Sequence, residues 1–133
     1  MLAAYVAEHG GPEVVALREL PEPVPGPDDV IVAPDYSAIN FPDLLIIANR
    51  YQVSVPVPFV PGSEFAGRIV RVGANVDARR VGELVFGATM NGAFAERVRV
   101  PADGVSPLPR GLSTREGAVF GVSYRTAYSA LRR

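Results

Sequence analysis

Thirteen prolines are distributed over 133 residues, and four of them, Pro21, Pro23, Pro25 and Pro27, stand at every second position. Proline fixes φ and has no N–H to give to a ladder, so this run is an extended, unpaired segment crossing the surface. Pro34 falls inside the apolar stretch 30–39 and sets part of that strand at a sheet edge or a bulge. Pro56, Pro58 and Pro61 make residues 51–61 an extended loop. Thirteen glycines punctuate the remainder. A chain broken this often folds into short strands joined by turns.

Between the breaks the pattern predicts at least five strands before residue 101. Residues 2–7 and 14–20 form an opening hairpin across 9–13, and residues 30–39 and 64–73 follow as longer strands. Residues 83–89 and 94–100 flank Met90, Asn91 and Gly92, where the Asn-Gly pair signals a second hairpin. Helices are few. Asn40 as N-cap, Pro42 in the first turn and Asp43 near the positive helix end predict a helix over 41–48, closed by Asn49 and Arg50. Ser113 and Glu116 have capping-box spacing ahead of a small-residue, apolar run to Leu131. This final helix is expected to break near Gly121, a residue about 1 kcal/mol worse than alanine in a helix interior. The expected fold is mainly β: a small, partly open barrel or rolled sheet with a short helix after strand three and a C-terminal helix.

Composition narrows the chemistry. Hydrophobic residues at 48% and charged ones at 20% suit one globular domain, 1–133, with a modest core. Thirteen Lys and Arg oppose fourteen Asp and Glu for a net charge of -1, with no long run of either sign, so neither a nucleic acid nor a membrane surface is an expected partner. The short apolar start lacks a basic lead and meets Glu8 and His9, unlike a signal peptide, so a cytoplasmic location is expected. The chain has no cysteine, which removes disulfides, thiolate nucleophiles and Cys-rich zinc sites. Its single histidine, His9, falls in the first hairpin loop and reads as a solvated bystander. No Gly-x-Gly-x-x-Gly follows a strand and opens a helix.

Residues 60–70, Val-Pro-Gly-Ser-Glu-Phe-Ala-Gly-Arg-Ile-Val, hold a Gly-x-Glu-x-x-Gly frame on Gly62, Glu64 and Gly67. Before it stand Gly11-Pro12-Glu13-Val14, Pro23-Val24-Pro25-Gly26-Pro27, Ile39-Asn40-Phe41-Pro42-Asp43 and Tyr51. After it come Val81-Gly82-Glu83-Leu84-Val85, Gly92-Ala93-Phe94-Ala95-Glu96 and Thr126-Ala127-Tyr128. In this order the motifs resemble the N-terminal, GroES-like catalytic domain of the medium-chain dehydrogenase/reductase superfamily, and within it the zinc-free quinone oxidoreductases and related enoyl reductases. The resemblance covers nearly the whole chain.

The resemblance implies a function. Zinc-dependent members carry a cysteine at the place of Asn40 and a histidine at the place of Ser63, so it implies a zinc-free reductase passing hydride from NADPH to a quinone or an activated alkene such as an enone. It marks Asn40 and Thr126 as cofactor-binding and Tyr51 as bordering the substrate and a candidate proton donor. Asn40 and Tyr51 also have structural readings: Asn40 as a helix N-cap, Tyr51 as a cover for a hydrophobic core. Gln52 stands where the family often has proline, and Arg125 where it tends to have glycine; a cation there would either hinder the dinucleotide or contact a phosphate. Asp43 and Glu64 read as structural, at a helix start and a strand start.

Members of the superfamily continue into a Rossmann domain, which this sequence lacks, so residues 113–133 are expected to be the helical lead-in to it. The chain alone is then expected to bind NADPH weakly or not at all, to be inactive, and to cover an apolar face by homodimerisation or with a separate Rossmann-domain chain. The alternative is a stand-alone, non-enzymatic binding or assembly module that has lost the cofactor.

Overall fold

The computed structural model describes residues 1–132; Arg133, the last residue of the expected helical lead-in, lies outside them. Strand β1 (Leu2–Val6) pairs antiparallel with β2 (Val15–Glu19), as the opening hairpin requires. His9 departs from the bystander reading. Its Nε2 lies 2.9 Å from the Val55 carbonyl and its ring packs 6.1 Å from that of Phe59, so it ties this ribbon to the 51–61 loop.

Five further strands, β3 (Asp29–Ala38), β4 (Glu64–Val72), β5 (Leu84–Ala88), β6 (Val98–Pro101) and β7 (Val105–Pro107), form one antiparallel sheet in the order β6-β3-β4-β5-β7. Strands β6 and β7 stand at its opposite edges, yet only residues 102–104 separate them in sequence. Five flat strands would set those edges about 19 Å apart, given roughly 4.8 Å between neighbours. The link reaches about 14 Å at full extension. The sheet must therefore curl until its edges approach, which makes it a partly open barrel.

The pleat sorts side chains between the two faces. Val30, Val32, Phe65, Ile69, Val85, Val98, Val100 and Val105 form the main core cluster. Their chain neighbours Ala66 and Phe86 belong to a second cluster with Ala118, partly covered by Leu108 and Phe120, where α2 (Thr114–Val119) lies against the sheet. A third cluster, of Val6, Ile46, Ile47, Val55 and Phe59, joins the β1–β2 ribbon to α1 (Phe41–Ile47) and the 51–61 loop.

Two sequence expectations need correction. Residues 83–89 and 94–100 do not form a hairpin: β5 pairs with β4 and β7, and β6 pairs with β3. The Asn-Gly segment is captured by residues 60–63, through Thr89 N to Ser63 O at 2.7 Å, Gly92 N to Val60 O at 2.8 Å and Ala93 N to Gly62 O at 3.0 Å. Tertiary hydrogen bonds override the local turn signal. The second strand of that pair begins only at Val98. Strand β7 escaped the sequence reading because it is three residues long and ends in Pro107.

Pro34 is accommodated by a register shift on its C-terminal side, and β6 pairs only with Asp29–Val32, so no ladder partner on that side needs its missing N–H. Opposite Pro34 sits Gly67, where a Cβ would fall 2.0 Å from the Ala33 carbonyl oxygen. Gly62 has φ +99 and its Cβ would fall 2.5 Å from the Phe94 ring. Both glycines of the Gly-x-Glu-x-x-Gly frame are thus required by close approach, and they fix where Glu64 begins β4.

Candidate active site

Helix α1 starts as its sequence directs. Asp43 Oδ2 accepts the Asn40 N–H at 2.7 Å, the returning half of a capping box, and Asn49 with φ 55 ends the helix after its C-cap Ala48. The side chain of Asn40 also reaches away from its own helix. Its Nδ2 donates to Glu64 Oε2 at 3.0 Å.

Glu64 is buried, with 1% of its surface exposed. Its second oxygen, Oε1, accepts the Val122 N–H at 2.9 Å. That donor lies in the C-terminal helical segment, which the Ser113–Glu116 capping box opens as expected, through Glu116 N to Ser113 Oγ at 3.1 Å. The expected break near Gly121 takes the form of a π-helical turn over Phe120–Tyr124, between α2 and α3 (Arg125–Leu131). Gly121 faces the carboxylate: a Cβ there would stand 3.1 Å from Glu64 Oε1.

Asp43 is 2% exposed, and its Oδ1 has no hydrogen-bond partner. Burial pushes its carboxyl above the usual carboxylate range and the Glu64 charge adds to this, against the Asn40 N–H and the nearby Ser63 side chain. Two buried carboxylates therefore underlie one small region of the surface.

That region is a cleft of about 410 Å³ lined by Asn40, Pro42, Ile46, Tyr51, Ser63, Thr89, Met90 and Val122, together with Ala88. Asn40, Tyr51 and Ser63, separated in sequence, come together here. Tyr51 is half-buried and packs on the Ile46–Phe59 cluster, as its structural reading expects, and it also lines the cleft. Thr126 does not line the cleft; it is exposed on α3. Arg125 borders a separate apolar hollow with Phe120, Tyr124 and Tyr128. Thr89 and Met90 were missed, because the sequence assigned them to a strand end and a hairpin turn. Among the described residues no three His, Cys, Asp or Glu side chains converge as metal ligands, and no helix is long and apolar enough to cross a membrane.

Residues 26–110 match the alcohol dehydrogenase GroES-like domain. The chain belongs to that family. Its likeness is to the N-terminal part of quinone oxidoreductases of the medium-chain dehydrogenase/reductase superfamily. It is 36% identical to human quinone oxidoreductase over 98% of its own length and 40% of that protein's. A solved quinone oxidoreductase from Thermus thermophilus, studied also as its NADPH complex, is 35% identical, with a TM-score of 0.84 over 100% of this chain and 41% of that one. The human synaptic vesicle membrane protein VAT-1 homolog-like protein is 28% identical and superposes with a TM-score of 0.92 over 98% of this chain and 42% of that one. The chain thus spans about two-fifths of the length of these relatives.

Proposed function

We propose that this chain is the catalytic-domain portion of a zinc-independent, NADPH-dependent oxidoreductase that reduces a quinone or an activated alkene. The observation that carries the reading is the cleft: its lining holds no charged side chain, its walls are largely apolar, and Asn40, Ser63, Thr89 and Tyr51 supply neutral hydrogen-bonding groups. A flat, neutral carbonyl acceptor and a nicotinamide ring both suit such a lining. The kinship with quinone oxidoreductases, including one solved with NADPH, supports the same reading. So does the lack of cysteine, with Asn40 and Ser63 at the two ligand positions of zinc-dependent members.

When bound, the dinucleotide supplies the hydride. Ile46, Met90 and Val122 exclude water from the reacting face, which strengthens every hydrogen bond made there. Asn40, held in orientation by Glu64, contacts the cofactor. The Tyr51 phenol gives a proton to the oxygen on which charge develops, and the Thr89 hydroxyl donates to the same oxygen. Positioning and hydrogen bonds do here what a metal does in zinc-dependent relatives. Thr126 contributes to cofactor binding from α3, on surface shared with a dinucleotide-binding domain beyond this chain. Exposed Tyr124, Tyr128 and Leu131 on the same helical segment favour coverage by such a domain or by a second copy.

The test is reduction of p-benzoquinone and of a simple enone by the longer protein with NADPH, in the presence and absence of a chelator. Turnover unaffected by the chelator is expected, with a Tyr51→Phe variant lowered about 100- to 10,000-fold in kcat, the scale of one general acid. The chain alone is expected to give no turnover and no NADPH-dependent thermal shift. Activity abolished by the chelator would sink the zinc-free reading, and no turnover with either acceptor would sink the reductase reading.

A further inference from the structure

Glu64 links two walls of the cleft that nothing in the sequence connects. One carboxylate oxygen receives Asn40 Nδ2 from the start of α1 and the other receives the Val122 N–H from the π-turn, and both Asn40 and Val122 line the cleft. Three features of the chain make room for this bridge. Gly62 and Gly67 fix the β4 backbone on either side of Glu64, and Gly121 leaves the space that Oε1 occupies. The π-turn leaves the Val122 N–H within reach of Glu64 Oε1, and such turns are frequent at functional sites.

We infer that Glu64 is the positioning residue of this cleft: its buried carboxylate fixes the orientation of the Asn40 carboxamide on one wall and the placement of the Val122 turn on the other. The inference rests on the reading of the cleft as the active site but concerns only contacts within this chain. The chemistry explains why a carboxylate stands here. Both donors need an acceptor, and a carboxylate offers one on each side, whereas a carboxamide offers one oxygen and one NH₂. With Glu64→Gln, the side chain can keep its oxygen toward Val122 only by turning its NH₂ toward Asn40. Asn40 must then reverse its own carboxamide to present an oxygen. The bridge survives while the group offered to the ligand is inverted.

The two donors can be read separately in the 133-residue chain, without any ligand, by amide hydrogen exchange at Val122 and by the NMR signals of the Asn40 side-chain NH₂. Glu64→Ala is expected to speed Val122 exchange at least 10-fold over the amides of β3 and to shift the Asn40 NH₂ pair. Glu64→Gln is expected to keep Val122 protected and still shift that pair. Adding Asn40→Asp to Glu64→Gln supplies the acceptor without that reversal and is expected to recover thermal stability lost to it in Glu64→Gln alone. Unchanged Val122 exchange in Glu64→Ala, an Asn40 pair that stays in place in Glu64→Gln, or no recovery in the double variant would each overturn the assignment. Failure here leaves the reductase reading intact, because the measurement does not involve catalysis.

Discussion

Replacing Gly67 with alanine tests whether the Gly-x-Glu-x-x-Gly frame is set by backbone contact. The new Cβ would lie 2.0 Å from the Ala33 carbonyl oxygen and 2.7 Å from the Pro34 Cα, both backbone atoms that cannot swing aside. A tolerable carbon–oxygen contact is about 3.2 Å, so β3 and β4 must part locally by about 1 Å, beyond what a ladder hydrogen bond of ordinary length absorbs. Overpacking costs about 1–3 kcal/mol and a lost ladder bond about 1 kcal/mol, so about 3 kcal/mol is expected. For a chain of this length the entropy of unfolding converts that to a fall in Tm of about 10 °C. Scanning calorimetry of the variant reads it directly. Gly104→Ala is the control, because its Cβ meets nothing closer than Pro101 at 3.8 Å, and its effect is expected to stay within about 1 kcal/mol. A Gly67→Ala variant that melts within about 3 °C of the parent would refute the steric account.

Three further outcomes follow from the same geometry. Phe65→Ala empties the middle of the barrel core, where Phe65 is fully buried, and urea titration is expected to give a loss of about 3–5 kcal/mol. Asp43 has a folded-state pKa raised above 3.8, so the folded chain binds that proton more tightly than the unfolded one and its stabilising contribution is lost as pH rises through the window above 3.8. Asp43→Asn does not titrate, so its urea midpoint relative to the parent is expected to rise between pH 4 and pH 7; a relative midpoint that falls contradicts the assignment. Asp29 has its carboxyl lowered by its hydrogen bond from Arg99, so its contribution is present at neutral pH and fades as pH falls below 3.8. Arg99→Ala is expected to move the Asp29 carboxyl resonance titration upward, and an unchanged midpoint would show the pair to be idle.

Local chemistry made most of the elements legible. The opening ribbon, the α1 boundaries, the Ser113 cap and the break near Gly121 follow from residue types acting on their near neighbours. The Asn-Gly hairpin failed because its signal is local, whereas residues 89–94 satisfy their backbone groups on residues 60–63. His9 looked like a solvated loop residue because its partners, Val55 and Phe59, come from a distant loop. Asn40, Tyr51 and Thr126 could be named as site candidates from their motifs, of which Thr126 does not line the cleft, and Glu64 could be seen only as a strand start. Its two hydrogen bonds run to residues 24 and 58 positions away.

The sequence by itself therefore determined that this chain is a proline-broken, mainly β member of its family, without cysteine. Prolines, glycines and caps act through bonds and contacts a few residues long, so their consequences can be read in order. Only the tertiary structure decided which strands of the curled sheet pair, that Met90 and Thr89 join the cleft, and that one buried carboxylate holds two of its walls. Those outcomes depend on which distant backbone groups find partners once the strands curl, and burial makes leaving such groups unpaired too unfavourable for any other arrangement.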